Sequence, residues 1–535
     1  MSDNDVVGQF LGPFGKWQLR STLLIYLVKI PSAWFMACLI FTAKSPTPGE
    51  IFCKPRHEHD SKNASSWIDL AHKKTFNQIE NEESFDFCMV NGNITETMSA
   101  DINATVECSD FENRPTFNSI IHQYNLFCSR EALVALSQSF HLLGVLIGGV
   151  IAFYMLKRFS PRRVMLVGMI AQLFLGPITG FAPTYELHLF FRCSVAATCS
   201  MMCIGIMIDI TSGKYRVITT CLFEQFWSVG VILLPGISSW WSDWSTIYLA
   251  ISLPTVALII LYYWIPDSPR WLLKNGKVLE ALQVLKDAAK VNSTNNFSED
   301  DLSKQLKELA ELMRYDSPQP TLLSLWNVSF PIKLKLFFAH VGWSVYLMLY
   351  YASLLNVRAM GRAYLEVNTA IAGISEIIGT FIALYLILKT GRKWTYMSQL
   401  NIATSVIAYS ANYVPVLFPS FERMMVYMFT AMLFKMSIST SLAIFITSMT
   451  EIVPEDKKKM CNYSGVTCSR TLVTIAPFIG YFVIYGQLVP QTIMCVMNVC
   501  ISLLIAVFLK TPRTLPIKSP SLLKNQHNEE SFYKI

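Results

Sequence analysis

Apolar runs of about twenty residues, the length that crosses a bilayer's hydrocarbon core, begin near Ser21, Ala132, Val164, Leu187, Val217 and Ile247. After a polar gap they resume near Leu334, Val367, Thr395, Arg423, Ser464 and Val489. The pattern predicts an all-α membrane protein: six spans, a polar interval and six more. It divides the chain into an N-terminal segment 1–20, a first half 21–265, a linker 266–333, a second half 334–509 and a tail 510–535. The opening "MSDNDVVGQF" is polar and acidic, so the first span is expected to remain as an uncleaved anchor.

The two polar intervals differ. Within the linker, "GKVLEALQVLKDAAKVN" and "LSKQLKELAELM" repeat apolar residues at helical spacing with lysines between them, which predicts short amphipathic helices at a membrane surface or a plain helical connection. The loop 43–131 carries eight Lys/Arg against 14 Asp/Glu, about −6 net. Basic turns sort the two sides of the membrane. "LKRFSPRR", "GKYR", "PRWLLKNGK", "LKTGRK", "EDKKKM" and "LKTPR" follow the even-numbered spans, which puts them and both termini in the cytoplasm. The acidic loop is then outside, and "WWSDW" is expected to set Trp240, Trp241 and Trp244 in an outer interfacial belt.

Composition agrees with a membrane protein. Charged residues are 15% and hydrophobic ones 52% of 535, where soluble domains carry about 25% charged. The net charge of +7 follows from the basic turns and is no nucleic-acid signature. The chain lacks a phosphate-binding lysine loop, a Gly-x-Ser-x-Gly elbow and a Cys/His set with zinc spacing, so no enzyme, cofactor or metal is expected. The outer loop holds three glycosylation acceptors, Asn63, Asn93 and Asn103. It also holds Cys53, Cys88, Cys108 and Cys128, enough for two bridges in any of three pairings. The remaining nine cysteines are expected to stay free.

Six plus six spans with basic turns after the second and eighth resemble the major facilitator superfamily. "YYWIPDSPRWLLKNGKVLEALQVLKDAAKVN", "YNLFCSREALVALSQSFHLLGVLIGG", "LYYASLLN" and "TSMTEIVPEDKKK" are similar to its organic cation, anion and carnitine transporter family. The resemblance implies two halves that alternately expose a midplane cavity. It also marks gate residues: Arg158, Arg162 and Arg163 after span two, Asp267 and Arg270 after span six, Gly391, Arg392 and Lys393 after span eight, and Glu451 after span ten. The chain departs from the family in lacking the acidic residue of both basic turns, and in four loop cysteines where relatives often have six.

Ionisable residues inside spans are expensive and default to functional candidates. Arg470, in "SGVTCSRTLVTIAPF", stands where anion and carnitine carriers of the family resemble it in having arginine. Its planar fork suits a carboxylate, or it serves a structural ion pair. Glu376, in "AIAGISEIIGTFIALY", has three readings: an ammonium site, a proton carrier, or a counter-charge to Arg470. Family anion carriers often add a lysine one turn later, where this chain has Thr380. Lys435, in "AMLFKMSISTS", either attracts a carboxylate or bonds carbonyls of a facing helix. Tyr346, Tyr350 and Tyr351 offer aromatic faces to an ammonium or pack between helices; Phe226, Trp227 and Phe445 are weaker candidates. Lys29, His141, Glu224 and His340 are further polar residues within spans, the histidines expected to be hydrogen-bonded. Gly144 and Gly148 predict a close helix contact. The end Tyr533-Lys534-Ile535 has the form of a PDZ-type ligand.

Opposite charges at Arg470 and Glu376 make a small zwitterion, of the carnitine, betaine or β-amino-acid kind, the expected cargo. Organic anions and organic cations are the alternatives, and the rival from another class is a non-transporting receptor or scaffold on the same fold. The expected partners are therefore a small organic ion, the lipid bilayer and a coupling ion, sodium or a proton.

Overall fold

A computed structural model describes residues 14–44, 117–127, 130–241, 243–293, 299–315, 325–357, 364–411, 420–486 and 489–509, with isolated positions before residue 14 and four short strands between residues 51 and 113. In chain order the long helices are α1 (Lys16–Thr42), α2 (Ala132–Met155), α3 (Pro161–Gly180), α4 (Tyr185–Met202), α5 (Gly213–Ser239), α6 (Trp244–Trp264), α7 (Phe330–Leu355), α8 (Leu365–Lys389), α9 (Lys393–Ser410), α10 (Ser420–Ser448), α11 (Lys458–Val473) and α12 (Val489–Phe508). Among the described residues nine helices, all of these but α4, α9 and α11, are long and apolar enough to cross a membrane.

Polar residues in α9 and α11 face neighbouring helices. On α9, Asn401 donates to Ser441 at 2.6 Å, Thr404 donates to Ser437 at 2.7 Å, and Ser405 accepts from Asn498 at 2.8 Å. On α11, Ser464 bonds His340 of α7 at 2.7 Å. Where a facing helix supplies the partner, a polar side chain in a membrane helix acts as glue.

The chain forms two compact units, Met1–Tyr26 with Gly205–Val229 and Pro266–Ile535, and Leu27–Ile204 with Gly230–Ile265. Helices α1 and α5 therefore pass from one unit to the other, after Tyr26 and after Val229. In the first unit α8 packs on α10, α9 on α12 and α7 on α11; in the second α2 and α3 both pack on α4.

The linker forms helices Pro269–Lys274, Val278–Asn292 and Glu299–Tyr315. Ser268 caps the first by accepting from the Trp271 amide, with Pro269 in the first turn, where its missing N–H costs nothing. The second buries Ala281, Leu282, Leu285 and Ala288 as one stripe. The loop after α1 contains two antiparallel ribbons: β1 (Ile51–Lys54) pairs with β4 (Asp110–Asn113), and β2 (Met89–Asn91) with β3 (Thr105–Glu107). Asn63, Asn93, Asn103, Cys88, Cys108, Cys128 and Tyr533-Lys534-Ile535 lie outside the described residues, as does the side chain of Cys53. The nine cysteines in or near the spans are free thiols.

One expectation about the tryptophans is corrected. Trp240 is 85% exposed and suits an interfacial belt, but Trp244 is fully buried. Its indole N–H donates to Gln123 Oε1 at 2.7 Å, and its ring packs on Tyr124, His188 and Tyr248. As the first residue of α6 it turns into the protein, where its polar N–H finds a partner.

Gly144 and Gly148 lie against the backbone of α4, at Cys193 and Ala197, whereas a methyl at Gly149 would meet open space. Gly148→Ala should therefore lower the unfolding midpoint of the purified protein by several degrees, since overpacking costs about 1–3 kcal/mol. Gly149→Ala should leave the midpoint unchanged, and scanning fluorimetry in detergent would compare the two.

Candidate functional site

Close approach of α8 and α10 builds the site. A Cβ on Gly379 would strike the Met436 carbonyl, and Thr440 Oγ1 donates to the Gly379 carbonyl at 2.9 Å. Glu376 lies one turn before Gly379 and Lys435 immediately before Met436, so this contact sets the two charges against each other. Lys435 Nζ is 3.0 Å from Glu376 Oε1, and each side chain is only 3% exposed. The ammonium also donates to the Tyr350 carbonyl at 3.0 Å and sits over the Tyr350 ring, 3.7 Å from its centroid. The second carboxylate oxygen, Oε2, accepts from Ser228 Oγ of α5 at 2.8 Å. Tyr351 meets Tyr350 and Trp227 edge-on.

Beside Lys435 lies a small cavity of about 20 Å³, lined also by Ser353, Asn356, Ala372, Gln491 and Met494. That is room for about one water molecule. The arrangement offers an ammonium ion a carboxylate and an aromatic face, and offers a carboxylate an ammonium, all away from solvent.

Glu376, Lys435, Tyr350 and Tyr351 thus come together as candidates for one site. Two expectations change. Glu376 is counter-charged by Lys435, a pairing that was not among its three readings. Arg470 is half-buried in the last turn of α11, the helix that packs on α7. Tyr346 leaves the group: its hydroxyl bonds Ser502 of α12 at 2.8 Å and its ring packs on Phe445, so the packing reading describes it. Phe226 packs on Tyr26, and Phe445 also meets Trp394. His340 is hydrogen-bonded as expected, to the Leu336 carbonyl and Ser464, while His141 is buried with an unpartnered Nδ1.

The expected gate residues lie at the basic ends. Lys393 pairs with Glu451 at 2.6 Å. Arg162 covers the Tyr262 ring and donates to the Tyr262 and Tyr263 carbonyls. Arg158, Arg163, Gly391 and Arg392 are exposed, and Asp267 accepts from the Ser268 amide at 2.9 Å. Ser268 Oγ in turn donates to Asp209. Burial pushes the Asp209 carboxyl above the usual range, opposed by that bond and by the Arg270, Arg216 and Lys459 cations.

Three residues escaped the sequence reading. Arg192, 1% exposed on α4, donates to Gln138 Oε1 at 2.6 Å and to the Tyr248 hydroxyl and contacts Cys38 Sγ at 3.6 Å; among the described residues these partners are all neutral. The charge in "LHLFFRCSVAA" was as visible as that of Arg470. Asp209 and Ser228 had no comparable signal.

The sequence profile described as Major Facilitator Superfamily matches residues 111–466, most of the chain, and the chain belongs to that superfamily. Its relatives there are organic ion transporters. An organic cation transporter protein of Drosophila melanogaster is 29% identical over 416 residues, 75% of this chain and 74% of its own. Solute carrier family 22 member 7 of Mus musculus is 25% identical over 417 residues, 74% of this chain and 75% of its own. The fold matches the xylose transporter XylE of E. coli in a partially occluded inward-open form, with a TM-score of 0.60 and 13% identity over 93% of this chain and 100% of that one. The chain is therefore a multi-pass secondary transporter and not an enzyme.

Removing one partner of a buried pair strands the other. Lys435→Met should destabilise the protein by about 3–5 kcal/mol, and adding Glu376→Gln should recover most of the loss. Thermal unfolding of the two single variants and the double variant would check this; additive losses would mean that the two charges are not coupled.

Proposed function

We propose that the chain carries small zwitterions joining an ammonium to a carboxylate, of the carnitine, betaine or β-amino-acid kind, across the plasma membrane with both termini cytoplasmic. The observation that carries this reading is the buried Glu376–Lys435 pair over Tyr350. A simple cation captured by Glu376 displaces Lys435 and leaves its ammonium unpaired. A simple anion captured by Lys435 leaves Glu376 unpaired. Either outcome costs about 3–5 kcal/mol. A zwitterion inserted between the two leaves each charge with a partner, and the Tyr350 face that now receives Lys435 suits an alkylammonium group. Arg470, a candidate through the family resemblance, adds a second cation for the carboxylate. The relatives named organic cation transporters support an organic ion as cargo; the internal lysine argues for one that also bears a carboxylate.

Three molecules of closely similar shape separate the charge classes: glycine betaine, choline and 3,3-dimethylbutyrate. Proteoliposomes should accumulate betaine at least about tenfold faster than the other two, which corresponds to 1.4 kcal/mol of preference. Lys435→Gln should shift uptake towards choline, and Glu376→Gln towards dimethylbutyrate. Wild-type uptake of choline or dimethylbutyrate that equals or exceeds that of betaine would overturn the assignment.

A further inference from the structure

Serine within a helix commonly turns its hydroxyl back to a carbonyl one turn earlier. Ser194, Ser398 and Ser439 do so, on Phe190, Trp394 and Lys435. Ser228 does not. Its hydroxyl leaves α5 and donates to Glu376 Oε2 at 2.8 Å, and the residue is 3% exposed. Hydrogen bonds to ionised groups are among the strongest side-chain bonds, so this one ties α5 firmly to the charge pair on α8 and α10.

The tie falls at a particular point of α5. Immediately after Val229 the chain leaves the unit that contains Glu376, and Gly230 belongs to the other unit. There the Gly230 carbonyl accepts from Trp34 Nε1 at 2.9 Å, and a Cβ on Gly230 would crowd Ala33 at 2.8 Å. Two residues apart, α5 is thus bonded to the charge pair in one unit and seated on α1 in the other.

The geometry points to Ser228 as the residue that couples occupancy of the Glu376–Lys435 pair to movement of α5. It is a positioning residue, acting through Glu376 and not on the cargo. The inference rests on the reading of that pair as the substrate site. In the described state both carboxylate oxygens are held, Oε1 by Lys435 and Oε2 by Ser228. An arriving ammonium takes the place of Lys435; the carboxylate turns towards it, the Ser228 bond opens, and α5 is released. No covalent step is involved.

The coupling is tested in the full-length chain by two measurements. In proteoliposome exchange of radiolabelled glycine betaine, Ser228→Ala should change the maximal rate by at least about fivefold and the half-saturating concentration by less than about twofold. Ser228→Thr, which retains the hydroxyl, should keep the wild-type rate. An unchanged rate, or a change confined to half-saturation, overturns the role. In hydrogen–deuterium exchange without any cargo, Ser228→Ala and Glu376→Gln should each speed exchange in α5 peptides, and the double variant should be no faster than either. Additive effects overturn the bond as the coupling element. Should Ser228→Ala fail to fold, Ser228→Cys, a weak donor of similar size, replaces it in both measurements. A wild-type chain that carries no betaine refutes the zwitterion reading, and Ser228 is then judged by the exchange measurement alone.

Discussion

A carboxylate and an ammonium are tolerated inside a membrane protein when they meet each other and their remaining hydrogen-bonding capacity is used. Glu376 and Lys435 meet each other at 3.0 Å, with Oε2 and the ammonium each holding a further hydrogen bond, and the local structure follows from that pairing. Gly379 removes the side chain that would hold α8 and α10 apart. Tyr350 supplies a carbonyl for one ammonium hydrogen and a ring face for the charge as a whole. Ser228 occupies the carboxylate oxygen that Lys435 leaves open. Four helices, α5, α7, α8 and α10, are thereby joined through two side-chain charges.

The other compact unit buries its charge differently. Arg192 is held by Gln138, Tyr248 and Cys38, dipoles without net charge. A guanidinium is weakly hydrated and planar and tolerates such company better than an ammonium does. Gln138 also donates to the Met36 carbonyl, and the His188 and Trp244 rings pack on Tyr248, so the partners are themselves fixed. The difference bears on function. An ionic partner can be exchanged for the opposite charge of a ligand, whereas a ring of neutral dipoles offers a ligand no charge to replace. The Glu376–Lys435 pair is built like a site, and Arg192 like a scaffold.

Nine of the expected spans, among the described residues, and the amphipathic linker helices were legible because a bilayer imposes a length and an apolar face imposes a period. The charges within spans were legible because they are rare. Their pairing was not: which cation Glu376 meets depends on how closely α8 and α10 approach, and that is decided by Gly379, a residue with no charge to notice. Trp244 was misread as a belt residue because hydropathy does not distinguish an indole at the lipid interface from one buried behind it, and Trp240, four residues earlier, does occupy the exposed position. Tyr346 and Tyr350 share a helical face by spacing, yet Ser502 draws one aside while Lys435 takes the other. Ser228 was invisible, since a serine within a span usually bonds its own helix.

These contacts also differ in how readily they open. Lys393 and Glu451 form a short pair, but the glutamate side chain is 55% exposed, and ion pairs in water's reach contribute at most about 1 kcal/mol. Such a contact at a basic end can break and reform with little change in free energy. Breaking the buried pair without a replacement costs several times more, about 3–5 kcal/mol. A ligand that supplies both replacement charges removes that difference, and one that supplies a single charge does not. Of the two contacts, the exposed pair at the basic end opens with little change in free energy, whereas the cost of opening the buried pair depends on which charges replace it.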